Sequence, residues 1–129
     1  MKVALMMENS QAGKNAVVLK ELNAVAEEKG FSVFNVGMSD EQDHHLTYIH
    51  LGIMASILLN SRAIDFVVTG CSSGQGMMLA CNSMPGVLCG YVPTAKDAYL
   101  FAQINNGNVV SLPLGEEYTY TGEKNLEET

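Results

Sequence analysis

Arginine is almost missing from this chain: Arg62 is the only one. Lys and Arg together number 7 against 14 Asp and Glu, a net charge of −7. Nucleic-acid binding needs clustered cations to meet phosphates, so that partner is excluded. Cysteine is also scarce. Cys71, Cys81 and Cys89 are an odd number with no CxxC pair. That excludes a disulfide framework and a zinc site, and points to a reducing cytoplasm. No long hydrophobic run exists. The longest, Leu46 to Leu59, is interrupted by Thr47, His50 and Ser56. It is too short and too polar to span a bilayer, so no membrane partner is expected. The apolar opening of the chain is cut short by Glu8 and Asn9, which argues for a strand over a signal peptide. Repeats and low-complexity segments are absent, and 129 residues suit one domain, residues 1–129.

What is present is a regular alternation. Val3 to Met7 is apolar without a period of two, as a strand buried on both faces reads. Asn15 is expected to cap a helix over Ala16 to Lys29, with Val18, Leu22, Val25 and Ala26 on one stripe and Gly30 as its stop. Phe31 to Val36 is a second strand. Gly37 to His45 is a polar loop, and Leu46 to Arg62 a helix apolar on most sides, which suits burial or a subunit contact. Ile64 to Thr69 and Val87 to Tyr91 are strands. Thr94 is expected to cap a helix over Ala95 to Ile104, with Ala98, Phe101 and Ala102 inward. Val109 to Leu112 is the fifth strand. Parallel crossovers of this kind build an α/β domain with helices on both sheet faces.

The chain is organised around Val67 to Val87. A strand breaks at Gly70, and Cys71-Ser72-Ser73-Gly74-Gln75-Gly76 leads into a helix that Pro85-Gly86 must stop. Free N–H groups and the positive end of a helix dipole make such a turn an anion cradle. The same field favours a thiolate, so Cys71 is the candidate nucleophile or base. Ser72 and Ser73 can cap the helix or hold a ligand hydroxyl. Gly70, Gly74 and Gly76 permit the turn and let a ligand approach the backbone. Cys81 and Cys89 read as core. In parallel sheets the ligand lies beyond the carboxyl ends of the strands. Glu8-Asn9, His44-His45, Cys71 to Gly76, Tyr91 to Thr94 and Asn105 to Asn108 are expected to converge there. The spacing of His44, His45 and His50 puts no two imidazoles on one helix face, so no metal site and no cofactor are expected.

Gly70-Cys71-Ser72-Ser73-Gly74-Gln75-Gly76-Met77, followed by Ala80-Cys81-Asn82 and Pro85-Gly86, resembles the ribose-5-phosphate isomerase B and galactose-6-phosphate isomerase family. There the turn reads Gly-Cys-Gly-Thr-Gly-x-Gly-Met. Asn105-Asn106-Gly107-Asn108-Val109 is similar to that family's Asn-Asp-Ala-Asn-Val. The resemblance implies a three-layer α/β/α Rossmann-like (flavodoxin-like) domain with a five-stranded parallel sheet. It also implies a metal-independent aldose–ketose isomerase acting on a pentose or hexose, as phosphate, through a cis-enediolate. Carried over, Cys71 is the base and Ser73 stands for the family's assisting threonine. Glu8, Asn9, His45, Gly70, Ser72, Gly74, Gln75, Gly76 and Asn105 would bind substrate. Family sites lie at a subunit interface, so a homodimer or a higher oligomer is implied, with a sugar or sugar phosphate as the small-molecule partner.

Several positions depart from the family pattern. Its Asp-His after the first strand is Glu8-Asn9 here, its ring-opening histidine is Pro93, and a loop aspartate aligns with His45. The phosphate-binding arginines have no counterpart. Tyr118 to Thr129 is polar and acidic, so the closing helix is expected to be shortened or truncated. These departures leave a second reading: a non-catalytic sugar or sugar-phosphate binding protein of the same fold.

Overall fold

A computed structural model describes residues 1–37 and 47–129. Five strands form one all-parallel sheet: β1 (Lys2–Met7), β2 (Ser32–Asn35), β3 (Phe66–Cys71), β4 (Cys89–Tyr91) and β5 (Val109–Pro113). Five helices accompany them: α1 (Asn15–Lys29), α2 (Tyr48–Asn60), α3 (Gln75–Asn82), α4 (Ala95–Leu100) and α5 (Glu116–Glu128). The result is the expected three-layer α/β/α Rossmann-like arrangement. The strand order is β2-β1-β3-β5-β4, so the last strand slips between its two predecessors.

Alternation along the strands sorts the core into two layers. Ala4, Met6, Val67 and Val109 face α2 and α3, together with Leu51, Ala55, Met77, Cys81 and Cys89. Leu5, Met7 and Leu112 face the opposite way, packing with Val18 of α1, Phe101 and Leu126. The buried run at β1 is therefore apolar throughout because both of its faces are covered.

Helix ends follow local chemistry. Gly30 closes α1 in the left-handed conformation, and its N–H returns to the Ala26 carbonyl at 2.8 Å. Thr94 accepts the Asp97 N–H at 3.3 Å and starts α4 as expected. Two details differ from the sequence reading. Asn15 does not cap α1. It lies inside the first turn, buried, and exchanges two amide hydrogen bonds with Asn35 at 2.9 and 3.0 Å, which tie α1 to β2. The fourth helix leaves α-geometry at Phe101 and finishes as a π-type turn, Phe101–Asn105, with Ala102 exposed. Helix α2 starts directly after Thr47, where Thr47 and the His50 ring satisfy each other's backbone in a reciprocal cap. Its outer side is bare: Ile49, Ile53 and Ile57 are 54%, 43% and 61% exposed.

The acidic tail is helical, broken at Gly122, and is moored to α1 by Lys20 and Glu123 at 2.7 Å. Glu123 hydrogen-bonds and attracts the Lys20 ammonium, raising its pKa, and Lys20 in turn holds Glu123 below the usual carboxylate range. A hydrogen bond shared with Glu123 pushes the Glu21 carboxyl up. These groups are solvent-exposed, so screening leaves them little weight in stability.

Edge strand β4 is short, and Asn82 of α3 compensates. Its side chain donates to the Cys89 carbonyl and accepts the Cys89 N–H, both at 2.8 Å. Asn82→Ala leaves both backbone groups unpaired and should lower stability by about 1–3 kcal/mol, read as a reduced midpoint in urea.

Candidate active site

Strand β1 sends its chain through α1 to β2 on one side, and β3 sends its chain through α3 toward β4 on the other. The switch point of the sheet thus lies between the carboxyl ends of β1 and β3, where open α/β sheets hold ligands. In register Met7 pairs with Gly70, so Glu8 and Cys71 leave the sheet side by side. The strand does not break at Gly70 as expected: β3 runs through it to Cys71, with glycine needed because a Cβ there would meet the Leu112 carbonyl oxygen at 2.5 Å, and the chain turns at Gly74.

Gly74 adopts φ +77, and its N–H donates to the Cys71 sulfur at 3.2 Å. A Cβ at Gly74 would lie 3.0 Å from the Pro113 nitrogen and 3.1 Å from the Tyr91 ring, so both the left-handed backbone and the space demand glycine. Cys71 is 8% exposed. A Cβ at Gly76 would stand 3.7 Å from the sulfur, so glycine there leaves one side of the thiol bare. Ser73 serves as a cap: its hydroxyl accepts the Gln75 N–H at 3.2 Å, while the side chain stays exposed. One amide, that of Gly74, thus meets the sulfur, while the first amide of α3 is taken by Ser73.

Glu8 is buried and accepts a hydrogen bond from Ser10. Gln11 donates to the Ser72 hydroxyl at 3.0 Å, and Ser10 lies 3.4 Å from the same oxygen. The 3-10 turn Asn9–Lys14 after β1 is therefore stitched to the turn after β3. Glu8, Asn9, Gly70, Cys71, Ser72, Ser73, Gly74, Gln75 and Gly76 all belong to this one edge.

Two predicted positions do not join them in the described chain. His45, with His44, lies outside the described residues. Asn105 sits at the opposite edge of the sheet. The turn it belongs to precedes β5, and parallel strands enter at the amino side. Asn108 in that turn accepts the Leu88 N–H at 2.8 Å and donates to the Gly86 carbonyl at 2.9 Å, tying down the entry to β4.

Tyr91 is expected at this edge as part of its loop, while Ser111 goes unnoticed in the sequence. Tyr91 at the end of β4 borders Gly74, and burial, with Glu117 and Asp97 nearby, pushes its phenol up and keeps it neutral. Ser111 of β5 is fully buried and donates to the Gly74 carbonyl at 2.5 Å. A cavity of about 460 Å³ lies elsewhere, against Val18, Leu22, Val68, Phe101 and Leu112 on the α1 face. Cations are sparse at the carboxyl edge. Lys14 is drawn over the Tyr118 ring at 5.2 Å, Lys96 is exposed on α4, and Arg62 follows α2 at the amino edge.

The Ribose/Galactose Isomerase family model matches residues 3–126. A solved ribose-5-phosphate isomerase from Vibrio parahaemolyticus is 64% identical with a TM-score of 0.95, over 99% of this chain and 60% of that one. A solved 4-deoxy-L-threo-5-hexosulose-uronate ketol-isomerase, in complex with a tartrate, is 54% identical with a TM-score of 0.94, over 99% and 61%. The type B ribose 5-phosphate isomerase of Trypanosoma brucei, 24% identical over 98% and 80%, shares the fold with a TM-score of 0.82. The chain spans about 60% of the length of the first two. A comparison with curated proteins found no match. Its turn, its sheet and the matched residues place this chain in the ribose/galactose isomerase family.

Proposed function

We propose that the chain is an aldose–ketose isomerase that works through a cis-enediolate with Cys71 as its base. The observation that carries this reading is the Cys71 sulfur set 3.2 Å from the Gly74 N–H at the switch point of the sheet. The thiolate removes the proton from the carbon beside the substrate carbonyl. The electron pair moves onto the carbonyl oxygen, whose developing charge the positive N-terminal end of α3 beside Cys71 would stabilise. The proton of the adjacent hydroxyl passes to the former carbonyl oxygen, the thiol returns its own proton to the former carbonyl carbon on the same face, and the carbonyl reforms at the carbon that was deprotonated. Base and oxyanion donors both come from the chain, so the proposed reaction uses no metal. Ser72 and Ser73, with Glu8, Asn9, His45 and Gln75, contact the sugar hydroxyls. The three free thiols suit a cytoplasmic protein.

The exposed Ile49, Ile53 and Ile57 supply a surface for a homodimer. A dimer is also the way Asn105 can serve: it is too far around the sheet to reach the Cys71 of its own chain, and would act on the partner copy's site.

The substrate has two readings. A sugar phosphate fits the name of the 64%-identical neighbour. A ketose carrying a carboxylate fits the name of the 54%-identical uronate ketol-isomerase.

Incubation in deuterated water with ribose 5-phosphate, galactose 6-phosphate, the free sugars and the hexosulose-uronate tests all of this. Turnover with solvent deuterium appearing beside the carbonyl is the expected result for one of these classes. A ligand that raises Tm by mass action, with neither turnover nor exchange anywhere in the panel, would select the binding-protein reading instead.

A further inference from the structure

Ser111 is a hydroxyl in the middle of an otherwise apolar buried strand, between Val110 and Leu112. It stands two residues inside the carboxyl edge, opposite Thr69 in register, below the surface that a substrate would meet. A polar group in such a place must be hydrogen-bonded to be tolerated, and its one partner is the carbonyl of Gly74, at 2.5 Å. That carbonyl also accepts the Met78 N–H, at the longer distance of 3.3 Å, where α3 begins. Gly74 therefore has its carbonyl end pinned by β5 and its N–H end on the Cys71 sulfur.

The arrangement answers a mechanical problem. Glycine has the least sterically restricted backbone of any residue, and at φ +77 Gly74 has other basins open to it. A peptide that pivots there would swing its N–H off the sulfur. We propose that Ser111 is a positioning residue: its hydroxyl locks the Gly74 backbone so that the N–H is delivered to the Cys71 sulfur. Ser111 touches no reacting atom. It acts through Gly74 alone. The inference rests on the isomerase reading only for its kinetic consequence, since the geometry concerns the thiol itself.

The test compares Ser111→Ala, Ser111→Thr and Thr69→Val. Thr69 is an equally buried hydroxyl on the neighbouring strand, opposite Ser111 in register, and its hydroxyl bonds the Met6 carbonyl instead of Gly74. Iodoacetamide labelling of Cys71 is followed by fragment masses, since no Lys or Arg between Arg62 and Lys96 separates it from the core thiols Cys81 and Cys89 by tryptic cleavage. Labelling needs no substrate, so the assignment of Ser111 and the isomerase reading can fail separately. In Ser111→Ala the labelling rate at neutral pH should fall about tenfold, because the sulfur loses its positioned hydrogen-bond donor. Ser111→Thr should restore the rate, and Thr69→Val should leave it within about twofold of the parent. If a substrate is found, Ser111→Ala should lower kcat and spare KM. An unchanged labelling profile in folded Ser111→Ala overturns the proposal. So does an equal loss in Thr69→Val, which would make the effect one of general loosening. Should Ser111→Ala not fold, Ser111→Cys, nearly isosteric but a far weaker donor, is read in the same way.

Discussion

Cys71→Ala is expected to lose isomerisation and solvent exchange together, by about 10²–10⁴-fold in kcat, the usual worth of a positioned general base. The amides around the turn would survive the substitution, so substrate binding should change far less than turnover. Cys71→Ser sharpens the point. A hydroxyl of similar shape can still accept the Gly74 N–H, yet it is far too weak an acid to supply an anion near neutral pH. It should be as inactive as alanine. Deuterium uptake beside the carbonyl, followed by mass or proton NMR, reads both variants. Exchange at the parental rate in either would remove Cys71 from the mechanism.

The second large effect is on stability. Gly74→Val forces a β-branched residue to φ +77 and thrusts its Cβ to 3.0 Å from the Pro113 nitrogen and 3.1 Å from the Tyr91 ring. The left-handed conformation alone costs roughly 1–2 kcal/mol. The neighbours are backbone of β5 and a packed ring, which cannot yield cheaply, so overpacking adds roughly 1–3 kcal/mol. A loss of about 3 kcal/mol should lower Tm by ~10 °C or more by calorimetry. Gly74→Ala, with the same strain but less bulk, should fall between. A Tm for Gly74→Val within a degree or two of the parent would show that the turn is not built as described.

The parts of this protein visible in its sequence are those governed by neighbours in the chain. The Val3 to Met7 run, the Gly30 stop, the Thr94 cap and the strand–turn–helix around Cys71 all follow from local periodicity and backbone preference. Matters decided between distant segments were not visible. Asn15 looks like a cap, but Asn35, brought alongside by the crossover, claims its amide. Asn105 follows a helix in a polar turn, as site residues do. Only the direction in which the strands run shows that its turn is at the other edge. Ser111 sits in an apolar strand and gives no local sign, because its partner lies 37 residues away. The reciprocal cap at Thr47 uses a histidine where a glutamate or glutamine is the familiar third-position signal, and so was missed.

The insertion of β5 between β3 and β4 has a consequence for how the molecule comes into being. β4 has no hydrogen-bonded neighbour other than β5. Until residues 109–113 pair with it, that segment has no strand beside it and stands apart from the three-stranded platform β2-β1-β3. The arrival of β5 closes the gap by pairing Val109 with both Val67 and Cys89. The same arrival carries Ser111 to the loop that bears the thiol. Maturation of the reactive sulfur is thus coupled to completion of the sheet, and a half-made chain would carry the cysteine without its setting.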